Sequence, residues 1–310
     1  MSSFAGVPYG LFLDTDSCRV SIDNIRLKFC YKFSRYSWRR REAVPSIDWI
    51  SSLLDVFDLQ HYSEQLDVSW SYKDFFKIGA YCRTATIAGL DWSCAVLIGR
   101  YCFDSSCKQV APEAVFDFNP NKVPMHIIHR LVFLLRDSAI SVNVLRYDVA
   151  FDFPLPRDDV VLVRGDSRRS YRLFLDGGGK TEYLGARSSH GSLKLYDKTA
   201  ESSLSVPVTR AEVTVEAASF TSIRDVFPSL YCFSGCQLDF SFSELPFQVH
   251  ACVMCPELIP VLRSKCSAPT YRKYMSQISS LSQAVLTLDF SAADCFISSA
   301  LTSYLSVVIS

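Results

Sequence analysis

Along most of the first two-thirds of the chain, apolar and polar side chains alternate with the two-residue period of strands that bury one face. Residues 18–33 (CRVSIDNIRLKFCYKF) give the clearest case, with Val20, Ile22, Ile25, Leu27 and Phe29 apolar and Asp23-Asn24 interrupting them as a bulge or turn. Short strand-like runs recur through residues 66–118. They stop at Asn119-Pro120-Asn121, because proline has no amide proton and asparagine favours turns. The strand pattern resumes in VNVLRYDVAFDF (142–153) and continues in VVLVRG, SYRLFLDGG, TEYLGAR, SLKLYDK and VTRAEVTVE. Gly177-Gly178-Gly179 marks a tight hairpin between two of these runs.

Helical spacing is confined to fewer places. Ser46 fits the N-cap of a helix through IDWISSLLDVF, and residues 123–136 (VPMHIIHRLVFLLR) read as an amphipathic helix. A further helix is expected near 219–226. Beyond residue 245 the pattern turns helical and serine-rich. Strand runs broken by a few helices predict an α+β fold with a mostly antiparallel sheet. The expected division is a sheet-bearing domain over 1–245 and a helical C-terminal segment over 246–310.

Composition adds limits. With 49% hydrophobic and 21% charged residues over 310 positions, the chain can bury a substantial core. No run of about 18 consecutive apolar residues occurs, and the opening MSSFAGVPYGLFLDTDS lacks Lys and Arg, so neither a membrane span nor a secretory signal is expected. A cytoplasmic protein follows as the expectation. Lys+Arg and Asp+Glu both number 32, so any contact with nucleic acid has to be made by a local basic patch. Arg39, Arg40 and Arg41 after Trp38 form one such patch, and Arg164, Arg168, Arg169 and Arg172 another. Cys232, Cys236, Cys252 and Cys255 could surround a zinc ion. Their apolar flanks equally suit buried thiols.

Three strand segments gather the chemistry. Alternation puts Arg146, Asp148 and Asp152 on one face, Lys194, Tyr196 and Lys198 on one face, and Arg210, Glu212, Thr214 and Glu216 on one face. Carboxylates in line on a strand need a cation beside them. A phenol needs nearby positive charge before it can act as a nucleophile. Tyr183, on the preceding strand, is a rival phenol. An ordinary sheet with cross-strand ion pairs accounts for the same residues.

In order along the chain, FDFNPNKV (116–123), RYDVAFD (146–152), TEYLGARSS (181–189), LKLYDKTAE (193–201) and TRAEV (209–213) resemble the Rep_trans-type replication initiation proteins of rolling-circle plasmids and some phages. The resemblance spans roughly residues 20–220. It implies a DNA nicking and joining enzyme in which Tyr196 attacks at an origin, keeps the 5′ phosphate and frees a 3′ hydroxyl as primer. It further implies Lys194 and Lys198 beside that tyrosine and Mg²⁺ or Mn²⁺ on Asp148, Asp152 and Glu212. DNA contacts would come from Arg187, Ser188 and Arg210, with Arg39 and Arg40 as the local basic patch. Lys194 stands where many members have arginine, implying a looser grip on phosphate. The partners implied are single- and double-stranded origin DNA, a host helicase and polymerase, and a second copy of the chain in a homodimer. A non-catalytic DNA-binding regulator of replication or copy number on the same fold is the alternative.

Overall fold

In the computed structural model, the described residues are 11–15, 17–31, 69–74, 81–104, 107–136, 139–162, 170–176, 179–186, 189–202, 204–228, 230–232, 245–254, 258–282, 286 and 288–309. Their centre is an eleven-stranded sheet in which every pairing is antiparallel. The strands are β1 (Phe12–Asp14), β2 (Arg19–Tyr31), β3 (Ser69–Asp74), β4 (Tyr81–Ala88), β5 (Ser93–Asp104), β6 (Cys107–Phe118), β7 (Ala139–Phe153), β9 (Tyr171–Asp176), β10 (Gly179–Leu184), β11 (Leu193–Asp197) and β12 (Thr209–Glu216). They run in the order β3-β4-β5-β6-β2-β7-β12-β11-β10-β9, with β1 on β2. Two short strands, β8 (Val160–Leu162) and β13 (Leu230–Cys232), pair separately. The α+β expectation is met.

The interruption in β2 is a bulge within one long strand. Buried positions run Val20, Ile22 and then Ile25, Leu27, Phe29, so the parity changes once, where the register with β7 shifts between Ile22 and Asn24. A bulge adds one residue to a strand without breaking the sheet. Here the added Asp23 is free to face away from the core.

One face of the sheet is packed. Phe116, Phe118, Phe151 and Phe153 are fully buried on it, together with Ile22, Ile25 and Leu27. Helix α1 (Met125–Arg136) lays Ile127, Ile128, Leu131, Val132 and Leu135 onto this layer, at the spacing of an amphipathic helix. The Tyr31 hydroxyl donates to the Leu135 carbonyl at 2.7 Å and ties helix to strand. After β11 comes a short helix, α2 (Lys198–Ser202).

The segment after 245 supplies α3 (Phe247–Met254), α4 (Ile259–Lys265), α5 (Ala268–Ser282) and α6 (Phe290–Ile309). Its apolar contacts divide in two. Leu245, Val249, Cys252, Leu262, Ile278 and Leu281 make a cluster of their own, whereas Ala293, Ile297, Leu301, Tyr304 and Val308 of α6 join the sheet's core. With 20 residues and a mean hydropathy of 1.5, α6 is long and apolar enough to cross a membrane, although serines interrupt its apolar residues. One stripe of it packs on the sheet, while most of its remaining surface is exposed or half-buried. Asp294 accepts from Ser222 Oγ and the Ile223 amide at 2.7 and 2.8 Å.

That contact also corrects the helix expected near 219–226. The segment forms two 3-10 turns, Ala217–Ser219 and Ile223–Asp225. Its amides find Ser222 Oγ and Asp294 as acceptors, so they have no need of an α-helical ladder. The helix expected after Ser46 lies outside the described residues. So do Cys236 and Cys255 of the proposed zinc set; Cys252 is a free thiol buried in the second apolar cluster.

At the β10 end, Glu182 is buried on the core side and held by the buried Arg157 guanidinium, by the Tyr171 hydroxyl at 2.7 Å and by Lys180 at 3.3 Å. Burial opposes its ionisation, but these three partners outweigh it and keep the carboxyl below its ordinary range. Glu182→Gln would leave a buried guanidinium facing a neutral amide. We expect a loss of about 2 kcal/mol in urea unfolding at neutral pH.

Candidate functional site

The opposite face of the same strands is polar, and cross-strand register brings its residues into rows. In one row Ser21 (β2), Ala150 (β7), Glu212 (β12), Lys194 (β11) and Tyr183 (β10) stand side by side. In the next, Arg19, Asp152, Arg210 and Tyr196 do so. In a third, Asn24, Asp148 and Thr214 are aligned. The acids, lysine and tyrosines singled out from sequence therefore share one face. Lys198 does not continue it as a strand residue. The strand ends at Asp197, whose carboxylate accepts from the Thr199 and Ala200 amides at 2.8 and 3.2 Å and starts α2.

Arg210 organises the centre. Its Nε and Nη2 donate to the two carboxylate oxygens of Asp152 at 2.6 and 2.7 Å, and Nη1 donates to Asp23 at 3.0 Å. Burial disfavours its charge, yet Asp152 and Asp23 outweigh burial and hold its pKa above the ordinary arginine range. All three contacts are to protein carboxylates, and they tie β12 to β7 and to the β2 bulge. Asp152 is likewise engaged in a two-point ion pair. Asp23, which also accepts from Asn119 Nδ2 at 3.3 Å, was legible in the sequence only as a bulge.

Beside this network lies a cavity of about 250 Å³ lined by Arg146, Asp148, Tyr183, Lys194, Glu212 and Thr214, with Gly185 on its rim. Gly185 has φ +90°, and a Cβ there would stand 3.3 Å from the Ser192 backbone. The turn out of β10 therefore needs glycine. Asp148 is raised above the ordinary carboxylate range by burial, against a hydrogen bond from Thr214 and the charge of Arg146. Its Oδ1 is buried with no hydrogen-bond partner among the described residues. Glu212 is pushed up to about 7, first by burial and then by the negative charges of Asp23 and Asp148.

The two tyrosines differ. Tyr196 is 5% exposed, with the Lys194 ammonium 3.7 Å and the Lys198 ammonium 5.9 Å from its ring centroid. Lys198 is itself paired with Glu201. Burial, then Glu212, drive the Tyr196 phenol well above the ordinary tyrosine range despite Arg210. Tyr183 lines the cavity itself. The Arg172 guanidinium lies 5.8 Å from its ring centroid and the Phe174 ring meets it edge-on at 5.5 Å. Arg39, Arg40, Arg187 and Ser188 lie outside the described residues.

Asp148 and Glu212 fit a divalent cation: one presents an orphaned oxygen, and the two repel each other when both are charged. Asp152, the third expected ligand, is drawn off by Arg210. Among the described residues no group of three or more His, Cys, Asp and Glu comes together to hold a metal ion.

The raised Glu212 has a sign that can be tested. Its folded-state pKa of about 7 exceeds the ordinary 4.5, so the fold binds this proton more tightly than the unfolded chain does. Stability is fully present below pH 4.5 and falls as pH rises toward 7. Glu212→Gln should therefore leave thermal stability at pH 4.5 nearly unchanged and raise it at pH 8, by on the order of 2–3 kcal/mol. Parallel melts at the two pH values check this.

No protein-family model matches the chain, and no curated protein matches it. Among solved structures it is similar to a rolling circle replication initiator protein from Geobacillus stearothermophilus, at 17% identity and a TM-score of 0.32, over 64% of this chain and 74% of that one.

Proposed function

We propose that the protein is a DNA strand nicking and joining enzyme that initiates rolling-circle replication. The observation that carries this reading is the cross-strand register: the four motif strands β7, β10, β11 and β12 are adjacent, and they line up Asp148, Glu212, Lys194 and Tyr183 around one cavity. A tyrosine of this face attacks a phosphodiester and keeps the 5′ phosphate, leaving a 3′ hydroxyl to prime synthesis. Lys194 and Arg146 neutralise charge that builds on the phosphate, worth ~10²–10³-fold for one well-placed donor. Asp148 and Glu212 would hold Mg²⁺ or Mn²⁺, which when bound polarises a phosphate oxygen. The partners on this reading are single- and double-stranded origin DNA and, at the exposed primer, a host helicase and polymerase in the cytoplasm. A second copy of the chain would help to close a round.

The experiment is adduct formation. Full-length protein with Mn²⁺ and single-stranded DNA carrying its replicon's origin should give a slow-migrating band that survives SDS and vanishes with EDTA. An unshifted band under all conditions would remove the reading.

One observation favours a second reading, a non-catalytic DNA-binding regulator. With Asp152 held by Arg210, the acids lining the cavity among the described residues are Asp148 and Glu212 alone. That reading expects duplex binding that weakens with salt and is indifferent to metal.

A further inference from the structure

We infer that a cleft at the β4–β5 turn seats a base of the DNA strand beside the phosphodiester to be cut, stacked on Trp92; the inference rests on the nicking function proposed above. The cleft holds about 700 Å³, inside the ~300–1,000 Å³ of pockets that take one small organic ligand. Cross-strand register puts it on the same polar face as the first cavity. Arg146, which lines that cavity, is aligned in one row with Arg26, Asp117, Ala95 and Thr86, and the last three line the cleft. Asn24 lines the cleft too, and its cross-strand partner is Asp148. Neighbouring strands lie about 4.8 Å apart, so roughly one or two strand widths separate the two hollows. A DNA strand held at the cavity by its phosphate therefore brings a neighbouring base to the cleft.

The turn is built to present an indole. The Gly89 amide donates to the Trp92 carbonyl at 2.9 Å and closes the turn around Leu90 and Asp91. The Trp92 ring lies against Gly89, where a Cβ would stand 2.3 Å from its Nε1 and 2.5 Å from its Cε2. Only glycine leaves the ring that room, so the backbone it rests on fixes its place. Trp92 is half-buried and lines the cleft, while Leu90 beside it is fully exposed. An aromatic ring with an exposed aliphatic neighbour suits the flat, apolar face of a base. Asn24, Thr86 and Ser93 bring an amide and two hydroxyls, each able to donate and to accept at a base edge. Of the two carboxylates in the lining, Asp117 is paired with Arg26 and Asp91 is exposed at the turn. Lys122 brings an ammonium for a flanking phosphate, its amide donating to the Asn119 carbonyl at 3.2 Å.

Occupation of the cleft sets which phosphodiester lies over the first cavity. A base stacked on Trp92 fixes the register of the strand against Asp148, Lys194 and Glu212, which is where accurate positioning raises the rate. Trp92 binds and places the strand, and no bond or proton passes through it. Trp92→Ala should weaken binding of single-stranded origin DNA by roughly 10-fold or more, the effect of losing one base–aromatic stack. Gly89→Ala should weaken it as well, by displacing the ring. An abasic position in the DNA should cause the same loss with the parent protein and no further loss with Trp92→Ala. A tryptophan that only supports the fold would show no such coupling.

The test mixes the unmodified full-length protein, in EDTA, with single-stranded origin oligonucleotides carrying 5-iodouracil at one position each. Near-ultraviolet light crosslinks that base to the side chain it touches, and trypsin with mass spectrometry locates the link. The expected result is a crosslink on Thr84–Arg100 (TATIAGLDWSCAVLIGR) from positions next to the cut and from no distant ones. Parallel samples with Mn²⁺ read the covalent adduct. An adduct without a crosslink on that peptide overturns the inference and leaves the nicking function standing. A crosslink there without an adduct overturns nicking and leaves the cleft as a seat for DNA. Absence of both removes both. Because the crosslink is read on unmodified protein, it decides the matter even if Trp92→Ala fails to fold.

Discussion

Replacing Arg210 by methionine should cost about 3–5 kcal/mol of unfolding free energy, the range for removing one partner of a buried ion pair. Arg210 is 8% exposed and is the common partner of Asp152 and Asp23, from β7 and the β2 bulge. Without it those carboxylates would face each other, with Glu212 already disfavoured by the charge of Asp23. Lysine should recover only part of the loss, since an ammonium cannot make the two-point contact with Asp152 that the guanidinium fork makes. Urea unfolding of the Met and Lys variants at pH 7 checks this ordering. Equal stability of the Met variant and the parent would mean the network contributes nothing to the fold.

The second large effect is on chemistry and spares the fold. Asp148→Asn removes a carboxylate whose ionisation burial already opposes and whose Oδ1 has no partner among the described residues. Stability at pH 7 should therefore stay level or rise. If that oxygen serves a cation, the rate of metal-dependent adduct formation should fall by about 10²–10³-fold. Single-turnover rates together with thermal melts separate the two contributions. A variant that unfolds but cuts normally would make Asp148 a structural acid only.

These two residues also mark how far the sequence could be read. Alternation around Asp148, Lys194 and Glu212 was enough to put them on one face, because register in an antiparallel sheet is fixed by the same period that defines the strands. The bulge at Asp23 was visible in the three-residue step from Ile22 to Ile25. Its consequence was not, because the carboxylate it frees meets Arg210 from a strand 187 residues away. Arg210 was accordingly read as a DNA contact, with no sign that three of its five N–H donors bond to carboxylates within the sheet. Lys198 was placed on the strand, although Asp197 caps a helix there.

The helices divide in the same way. The amphipathic stripe of α1 was plain, whereas the turns at 217–225 take their form from Asp294 on α6, a partner far along the chain. α6 mixes apolar residues with serines along its length, and only the packing of Ala293, Ile297, Leu301, Tyr304 and Val308 on the sheet shows which stripe faces the core.

The most direct measurement is the polarity of the cut. Single-stranded origin DNA labelled separately at each end is incubated with the protein and Mn²⁺, then offered to a DNA polymerase. The account predicts that the 5′-labelled fragment is released with a hydroxyl the polymerase extends on an annealed template, while the 3′-labelled fragment stays bonded to protein. Intact DNA, or two free fragments with no protein attached to either, would contradict it.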